Sequence, residues 1–320
     1  MFFLNFWLLN MKSYSEYIKR FKNLLSEAKD IPLAASECGV DFKSAYCNSS
    51  ATCVFDNSSA FAGCSKKALI FAPHPDDESM VGSLALRLMQ ECGFEVKNIA
   101  VTLGSNIARR AGRLAELTEA CKRLSWGLYV CGENGFDNIR PDARESNESA
   151  WRKQVEEIAN VIATEKPAVI FFPHKEDWNK THCGVSLLIY DALELLGDSW
   201  NGMVIETEFW GQNSAPNLMV EVPSHILAYQ IEATSCHIKE VERNPYHLTL
   251  AALMTDNVRR GGEVVGGQGA AVPSFDFAML YRAKLRKDGK WQDAFKGKIL
   301  PASENAFSIF NLTNLILWKL

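Results

Sequence analysis

The sequence has no Cys-x-x-Cys pair, no internal repeat, no low-complexity linker and no apolar run long enough to cross a bilayer. A spanning helix needs about 20 apolar residues, and the most apolar stretch, Phe2–Leu9, falls well short of that. It also lacks the cationic start and small-residue cleavage site of a secretory signal. The stretch therefore reads as a docked N-terminal segment, with a degenerate export signal as the alternative and Met11 as an alternative start. The expected location is the cytoplasm, with peripheral membrane association or export left open. A net charge of -4 supplies no polycation for nucleic acid. Nine cysteines are too few and too scattered for a disulfide framework, and without Cys-x-x-Cys spacing they do not form a structural zinc site. Cys38, Cys47, Cys53 and Cys64 do gather in a Ser- and Asn-rich stretch, where one or two local bridges are left open. The glycine-rich run Arg259–Ala271 does not spell a dinucleotide fingerprint. It reads as a flexible loop, or alternatively as a mobile lid.

What is present is enough for one sizeable core: 320 residues, 47% of them hydrophobic. We read residues 1–66 as an N-terminal extension and 67–320 as a single domain, with a core over 67–210 and a C-terminal cap and substrate-loop region over 211–320. The organising stretch is Ala68–Glu78, ALIFAPHPDDE. An uninterrupted apolar run stopping at Pro-His-Pro suits a buried parallel strand ending at its carboxyl edge. That edge is where open α/β sheets bind ligands. His74 and Asp77 are three apart and can reach one cation, while Asp76 between them faces elsewhere. Taken alone, the acidic turn could equally be one that starts a helix, its carboxylates favouring the positive end of the dipole.

A second cluster alters that balance. Ala168–Pro173 is another short apolar strand, and His174, Glu176, Asp177, Asn179 and His182 follow it. Two strands each ending at a Pro-His junction place their loops on one edge of a parallel sheet, so His182 can complete a three-ligand site. Three protein ligands leave a position open for water, the pattern of a catalytic metal site.

The HPDDE loop, the Arg113-x-x-Glu116-Leu117 helix and the later Asp177-Trp-Asn-x-Thr-His182 segment together resemble the LmbE-like (PIG-L type) zinc-dependent N-acetylglucosaminyl deacetylases. The resemblance covers roughly Lys66–Leu196. It implies a Rossmann-like three-layer α/β/α fold with a mostly parallel sheet, elaborated at both termini. It further implies zinc held by His74, Asp77 and His182, with iron or cobalt as alternatives, and Asp76 as general base. The chain departs from the family at Asn179, which stands where many members carry the first histidine of a His-Pro-Asp-His motif. Asn179, His174 or an arginine is left to stabilise the transition state. Arg109, Arg113 and Asp177 are expected to contact substrate.

The implied activity is hydrolysis of the acetamide of an N-acetylglucosamine-type sugar or glycoconjugate, small or lipid-linked, with a homo-oligomer left open. The alternative is a carbohydrate-binding protein with a non-hydrolytic metal site. A phosphoesterase would call for more carboxylates and two ions about 4 Å apart.

Along the chain, periodicity predicts helices over Lys12–Lys29, Ser79–Cys92, 105–124, Ser149–Thr164, Thr181–Leu196 and within Val222–Glu242. Strands are expected at Val96–Leu103, Gly127–Cys131 and Met203–Trp210, the last partly exposed, with Glu206, Glu208 and Trp210 as candidate sugar contacts or, equally, as core packing or a solvated edge. Ala306–Leu320 reads as a final strand or docking segment, and His225 and His237 as non-ligands.

Overall fold

The protein is described by a computed structural model covering residues 64–311, together with Cys53, Phe61 and residues 16, 18–20, 22 and 23. The described residues between 16 and 23 are helical, within the expected first helix. Phe2–Leu9, Cys38, Cys47 and residues 312–320 lie outside the described residues. Cys53 and Cys64 are free thiols, so any local bridging does not involve them.

Strand β1 (Ser65–Ala72) shows why the sheet is covered on both faces. Ala68 and Ile70 enter one core, which also takes Val169 and Phe171; Leu69 and Phe71 enter the other, with Ile170 and Phe172. Successive side chains of a strand point to opposite faces, so β1, apolar at every position from Ala68 onward, must be sandwiched between helical layers. β2 (Glu95–Ala100), β3 (Gly127–Val130), β4 (Pro167–Pro173) and β5 (Gly202–Thr207) join β1 in parallel. β6 (Leu218–Glu221), β7 (Ala278–Lys287), β8 (Lys290–Asp293) and β9 (Lys298–Leu300) extend the sheet. The order is β3-β2-β1-β4-β5-β7-β6-β9, with β8 beside β7. β7 runs antiparallel to β5, β6 and β8. One sheet thus runs through both the N-terminal core and the C-terminal region.

The helices follow the apolar periodicity with instructive exceptions. The expected helix 79–92 is two, α1 (Asp77–Val81) and α2 (Ser83–Cys92), broken at Gly82. A Cβ there would collide with the Trp126 ring, so this close approach requires glycine. α3 (Ile107–Arg123) is capped by Asn106, whose side chain accepts the Ala108 N–H. α4 (Ala143–Ser146) and α5 (Glu148–Glu165) precede β4, and α6 (Lys180–Leu196) follows it. α7 (Ser224–Ser235) and α8 (Ile238–Arg243) lie in the region expected to be helical.

Two expectations are corrected. β5 is buried along its whole length because β4 and β7 flank it and both faces are covered. The glycine-rich run is mostly not a loop: α9 (Tyr246–Gly266) carries its first half. Gly261 packs so closely on the sheet that a Cβ would lie 2.7 Å from Leu280 and 2.9 Å from Met219. Helix–sheet proximity explains that glycine better than loop flexibility does. At the C-terminus, Ala306–Phe310 is a 3₁₀ turn. Among the described residues no helix is long and apolar enough to cross a membrane.

The strand order places a topological switch between β1 and β4, whose loops open on the same carboxyl edge. α6 is seated at that edge by Gly184, where a Cβ would lie 2.5 Å from the Ile139 carbonyl oxygen and 2.6 Å from the Arg140 nitrogen. These neighbours are backbone and cannot swing aside. Gly184→Ala is expected to cost about 1–3 kcal/mol, read as a lowered urea midpoint; a midpoint equal to wild type would show that the helix can shift freely.

Candidate metal centre and adjoining cavity

β1 delivers Pro73 and His74 to the switch point, and the next turn is built to hold a strained residue. Asp76 has φ 116°, in a region that costs a non-glycine residue about 1–3 kcal/mol. Its neighbours fix it there. The Asp76 N–H donates to Glu78 Oε2 at 2.9 Å, and its carbonyl accepts from Ser79 N–H and Oγ–H. Glu78, wholly buried, is itself paired with His237 Nε2 at 2.9 Å. His237, read as a non-ligand, thus supports the turn from behind, while His225 contacts Gln90.

The second loop brings His182 in on the first turn of α6. Asn179 caps that helix, its Oδ1 accepting the Thr181 N–H at 2.9 Å. Asp77 Oδ2 lies 3.3 Å from His74 Nδ1 and 3.2 Å from His182 Nε2. The candidate ligand atoms of His74, Asp77 and His182 all fall within 4.8 Å of one another. His182 Nε2 is buried yet makes no hydrogen bond, although the Asp77 oxygen is near. Two imidazoles and a carboxylate converging around an unsatisfied nitrogen fit a divalent cation.

Electrostatics agree with that geometry. Burial would lower the His182 pKa, but Asp77 and Asp177 raise it to about 10. Burial would raise that of Asp77, yet the two histidines hold it well below the usual carboxylate range. Asp76 is pushed up to about 7 by burial and by the Asp77 charge, with His237, Tyr246 and Arg113 opposing.

The expected contact residues divide by position. Arg109 and Arg113 line a cavity of about 500 Å³ that opens over His74, Asp76 and Asp77. Arg113 donates to the Pro75 carbonyl at 3.1 Å and approaches Asp76 Oδ2 at 3.9 Å. Gly104 makes room for it: φ is 87°, and a Cβ would collide with Arg113 Nη1. Arg109 pairs with Glu240, whose other oxygen takes Arg243. Arg110, by contrast, ties the Gly104 carbonyl to Asp137 and is structural.

Two placements differ from expectation. Asp177 lies behind His182, Oδ2 3.5 Å from Nδ1, with Oδ1 accepting from Asn179 N–H and Oδ2 from Gly211 N–H. It orients the imidazole and does not line the cavity. His174 is also turned away: Nε2–H donates to the Gly211 carbonyl at 2.8 Å, and Nδ1 accepts the Glu176 N–H at 3.2 Å. Both nitrogens are spent on backbone, which leaves none for a reacting group. Asn179 does line the cavity.

Trp210 lines the cavity with Trp178, the rings 6.4 Å apart. Glu206 and Glu208 do not join it; Glu206 binds Tyr190 and Lys284, and Glu208 binds Arg260. Sequence reasoning missed Tyr246, which donates to Asp76 Oδ2, and Glu240. Neither carries a local signal, since α8 and α9 reach the site only through the C-terminal packing. Burial and the Asp76 charge raise the Tyr246 pKa beyond its ordinary range, so the phenol stays protonated and donates.

The fold and site together define an α/β protein with a Rossmann-like sheet, a candidate single-cation centre and an adjoining cavity at its switch point. Residues 69–193 match the model of the PIG-L family, described as GlcNAc-PI de-N-acetylase. No curated protein matches the chain significantly. Among solved structures, a conserved protein of Thermus thermophilus is 18% identical with a TM-score of 0.51, over 67% of this chain and 92% of that one. A deacetylase of the teicoplanin biosynthesis pathway is 13% identical with a TM-score of 0.51, over 69% and 99%. The 4-carboxy-2-hydroxymuconate hydratase of Pseudomonas putida is 14% identical with a TM-score of 0.50, over 68% and 96%. The fold is shared across a deacetylase and a hydratase, so the reaction must be argued from the site.

Outer carboxylates that orient a metal-binding histidine typically contribute 10- to 100-fold in metal affinity. Asp177→Asn is accordingly expected to weaken zinc binding by about 10- to 100-fold in a chelator competition, with the chain still folded; unchanged affinity would remove Asp177 from this role. A second expectation follows from the raised His182 pKa. Its ion pairs stabilise the metal-free protein fully below the ordinary value of 6.5, and that contribution is lost as pH rises through about 10. A cation needs the neutral imidazole, so uptake at pH near 7 should expel a proton. Indicator titration in weak buffer should show that release in wild type and less of it in His182→Gln.

Proposed function

We propose that the protein hydrolyses the N-acetyl amide of an amino sugar or its glycoconjugate, releasing acetate and the free amine. The observation that carries this reading is the His74–Asp77–His182 cluster with Asp76 beside it, the one group raised to about 7 and the other three suited to a cation. A carboxylate with a pKa near neutrality is suited to accept and return a proton at physiological pH. A divalent ion held by the cluster supplies Lewis-acid polarisation and a lowered pKa for water. Zinc suits two imidazoles and one carboxylate, and iron and cobalt bind the same donors.

The chain's own residues account for the remaining chemistry. Asp76 takes a proton from the attacking water and hands it to the departing amine nitrogen. Arg113, fixed to the Pro75 carbonyl, places positive charge at the cavity wall, where charge developing on the acyl oxygen can be met. Arg109 faces the same cavity and is a candidate for substrate hydroxyls. Trp178 and Trp210 offer apolar ring faces of the kind that cover the C–H face of a pyranose. The family match over residues 69–193 supports the deacetylase assignment.

One observation favours a second reading, a sugar-binding protein without turnover: both ring nitrogens of His174 are spent on backbone. Metal content and acetate release from N-acetylglucosamine and its glycosides decide between them. Wild type should carry one metal and release acetate. Asp76→Ala should keep the metal and lose about 10²–10⁴-fold in rate, whereas His182→Ala should lose the metal. A fully metallated, active His182→Ala protein would overturn the ligand assignment, and sugar binding by wild type without acetate release would favour the second reading.

A further inference from the structure

A carboxylate acting as a base uses one oxygen at a time, and the two oxygens of Asp76 are not equivalent. Oδ2 accepts the hydroxyl of Tyr246 and lies 3.9 Å from Arg113 Nη2. Oδ1 accepts no hydrogen bond from the described residues. The Asp76 backbone is pinned by Glu78 and Ser79, so only the side-chain torsions can decide which oxygen meets the cavity. Tyr246 is well placed to set them. It is buried, begins α9, and packs against Trp210 and Phe209 with ring centroids 5.9 Å and 6.4 Å away.

Three other donors near the site have partners of their own. Arg113 Nη2 donates to the Pro75 carbonyl, Arg109 to Glu240 and His174 to Gly211. Tyr246 also lies outside residues 69–193, the segment that matches the family model.

We propose that Tyr246 is the positioning residue for the base: its hydroxyl holds Oδ2 of Asp76 so that Oδ1 is the oxygen that takes the proton from the attacking water. This rests on the deacetylase reading of the same site. The proton passes from water to Asp76 Oδ1 and from there to the departing amine nitrogen, while the Tyr246 O–H bond stays intact. A consequence is that the C-terminal region completes the catalytic arrangement as well as covering it.

Tyr246→Phe removes the hydroxyl and keeps the ring packed. In the metal-loaded full chain, kcat for acetate release should fall about 10- to 100-fold, the order that misplacement of a reacting group costs, with metal content equal to wild type. KM should change by less than about threefold, because ground-state binding is not what is lost. In an Asp76→Ala background the same substitution should cost nothing more, since it acts through the residue already removed. Equal losses in both backgrounds, or an effect on KM alone, would overturn the proposal.

A second cycle needs no substrate. Urea midpoints of the metal-free wild type, Tyr246→Phe, Asp76→Ala and the double variant should be non-additive, with the Tyr246→Phe shift smaller once Asp76 is gone. Additive midpoints in a protein whose wild type is active would remove the Tyr246 role and leave the deacetylase reading standing. A metal-loaded wild type that releases no acetate from any N-acetylglucosamine substrate would sink the deacetylase reading, and the catalytic role of Tyr246 with it, while the midpoints would still report the hydrogen bond.

Discussion

Pairing of β1 with β4, from Ala68 opposite Val169 to Ile70 opposite Phe171, fixes how far the HPDD turn stands from the first turn of α6. His74 and Asp77 leave the first strand and His182 follows the second, so this register sets the separation of the candidate ligand atoms. A one-residue slip would turn every side chain of β1 to the opposite face and expel Leu69 and Phe71 from one core and Ala68 and Ile70 from the other. The burial of both faces therefore protects the site's geometry. Gly184 acts in the same sense, letting α6 sit against the backbone at Ile139 and Arg140.

The site concentrates groups that folding ordinarily keeps apart. Asp76, Asp77, Glu78 and Asp177 are all buried, and burying a carboxylate is unfavourable unless it is paired. Each has a different solution. Asp77 is shared by two imidazoles, Asp177 accepts two backbone N–H groups and faces His182, and Glu78 is matched by His237. Asp76 is the least compensated, and its pKa rises accordingly. The candidate ligand, its supports and the proposed base are thus separated by environment among residues of one chemical kind, which is how neighbouring carboxylates come to do different work.

The C-terminal region contributes more than a cover. β7 reverses direction beside β5 and continues the same sheet, and α8 and α9 bring Glu240 and Tyr246 to the cavity formed by the HPDD turn and α3. Glu240 gathers Arg109 and Arg243 and approaches Arg113, which keeps like charges from repelling one another across the wall. The glycine-rich half of α9 is explained by the same packing: Gly261 lets the helix lie close to Met219 and Leu280.

The sequence by itself determined the central parallel strands, the two loops that follow β1 and β4, and the residues in them able to hold a cation. These are local facts: an apolar run of strand length, a Pro-His junction, and ligand types at short spacing. It also located the arginine-bearing face of α3, because Arg109 and Arg113 recur one helical turn apart. Only the tertiary structure decided what each polar residue touches. Asp177 and His174 lie in the same loop as His182 and look alike in sequence as candidates, yet Gly211 draws both away from the cavity through its backbone N–H and carbonyl. Tyr246 sits 170 residues from Asp76 and could be assigned to it only once α9 was placed. Local pattern fixes which groups can do chemistry, whereas long-range packing fixes their hydrogen bonds, their burial and hence their charge.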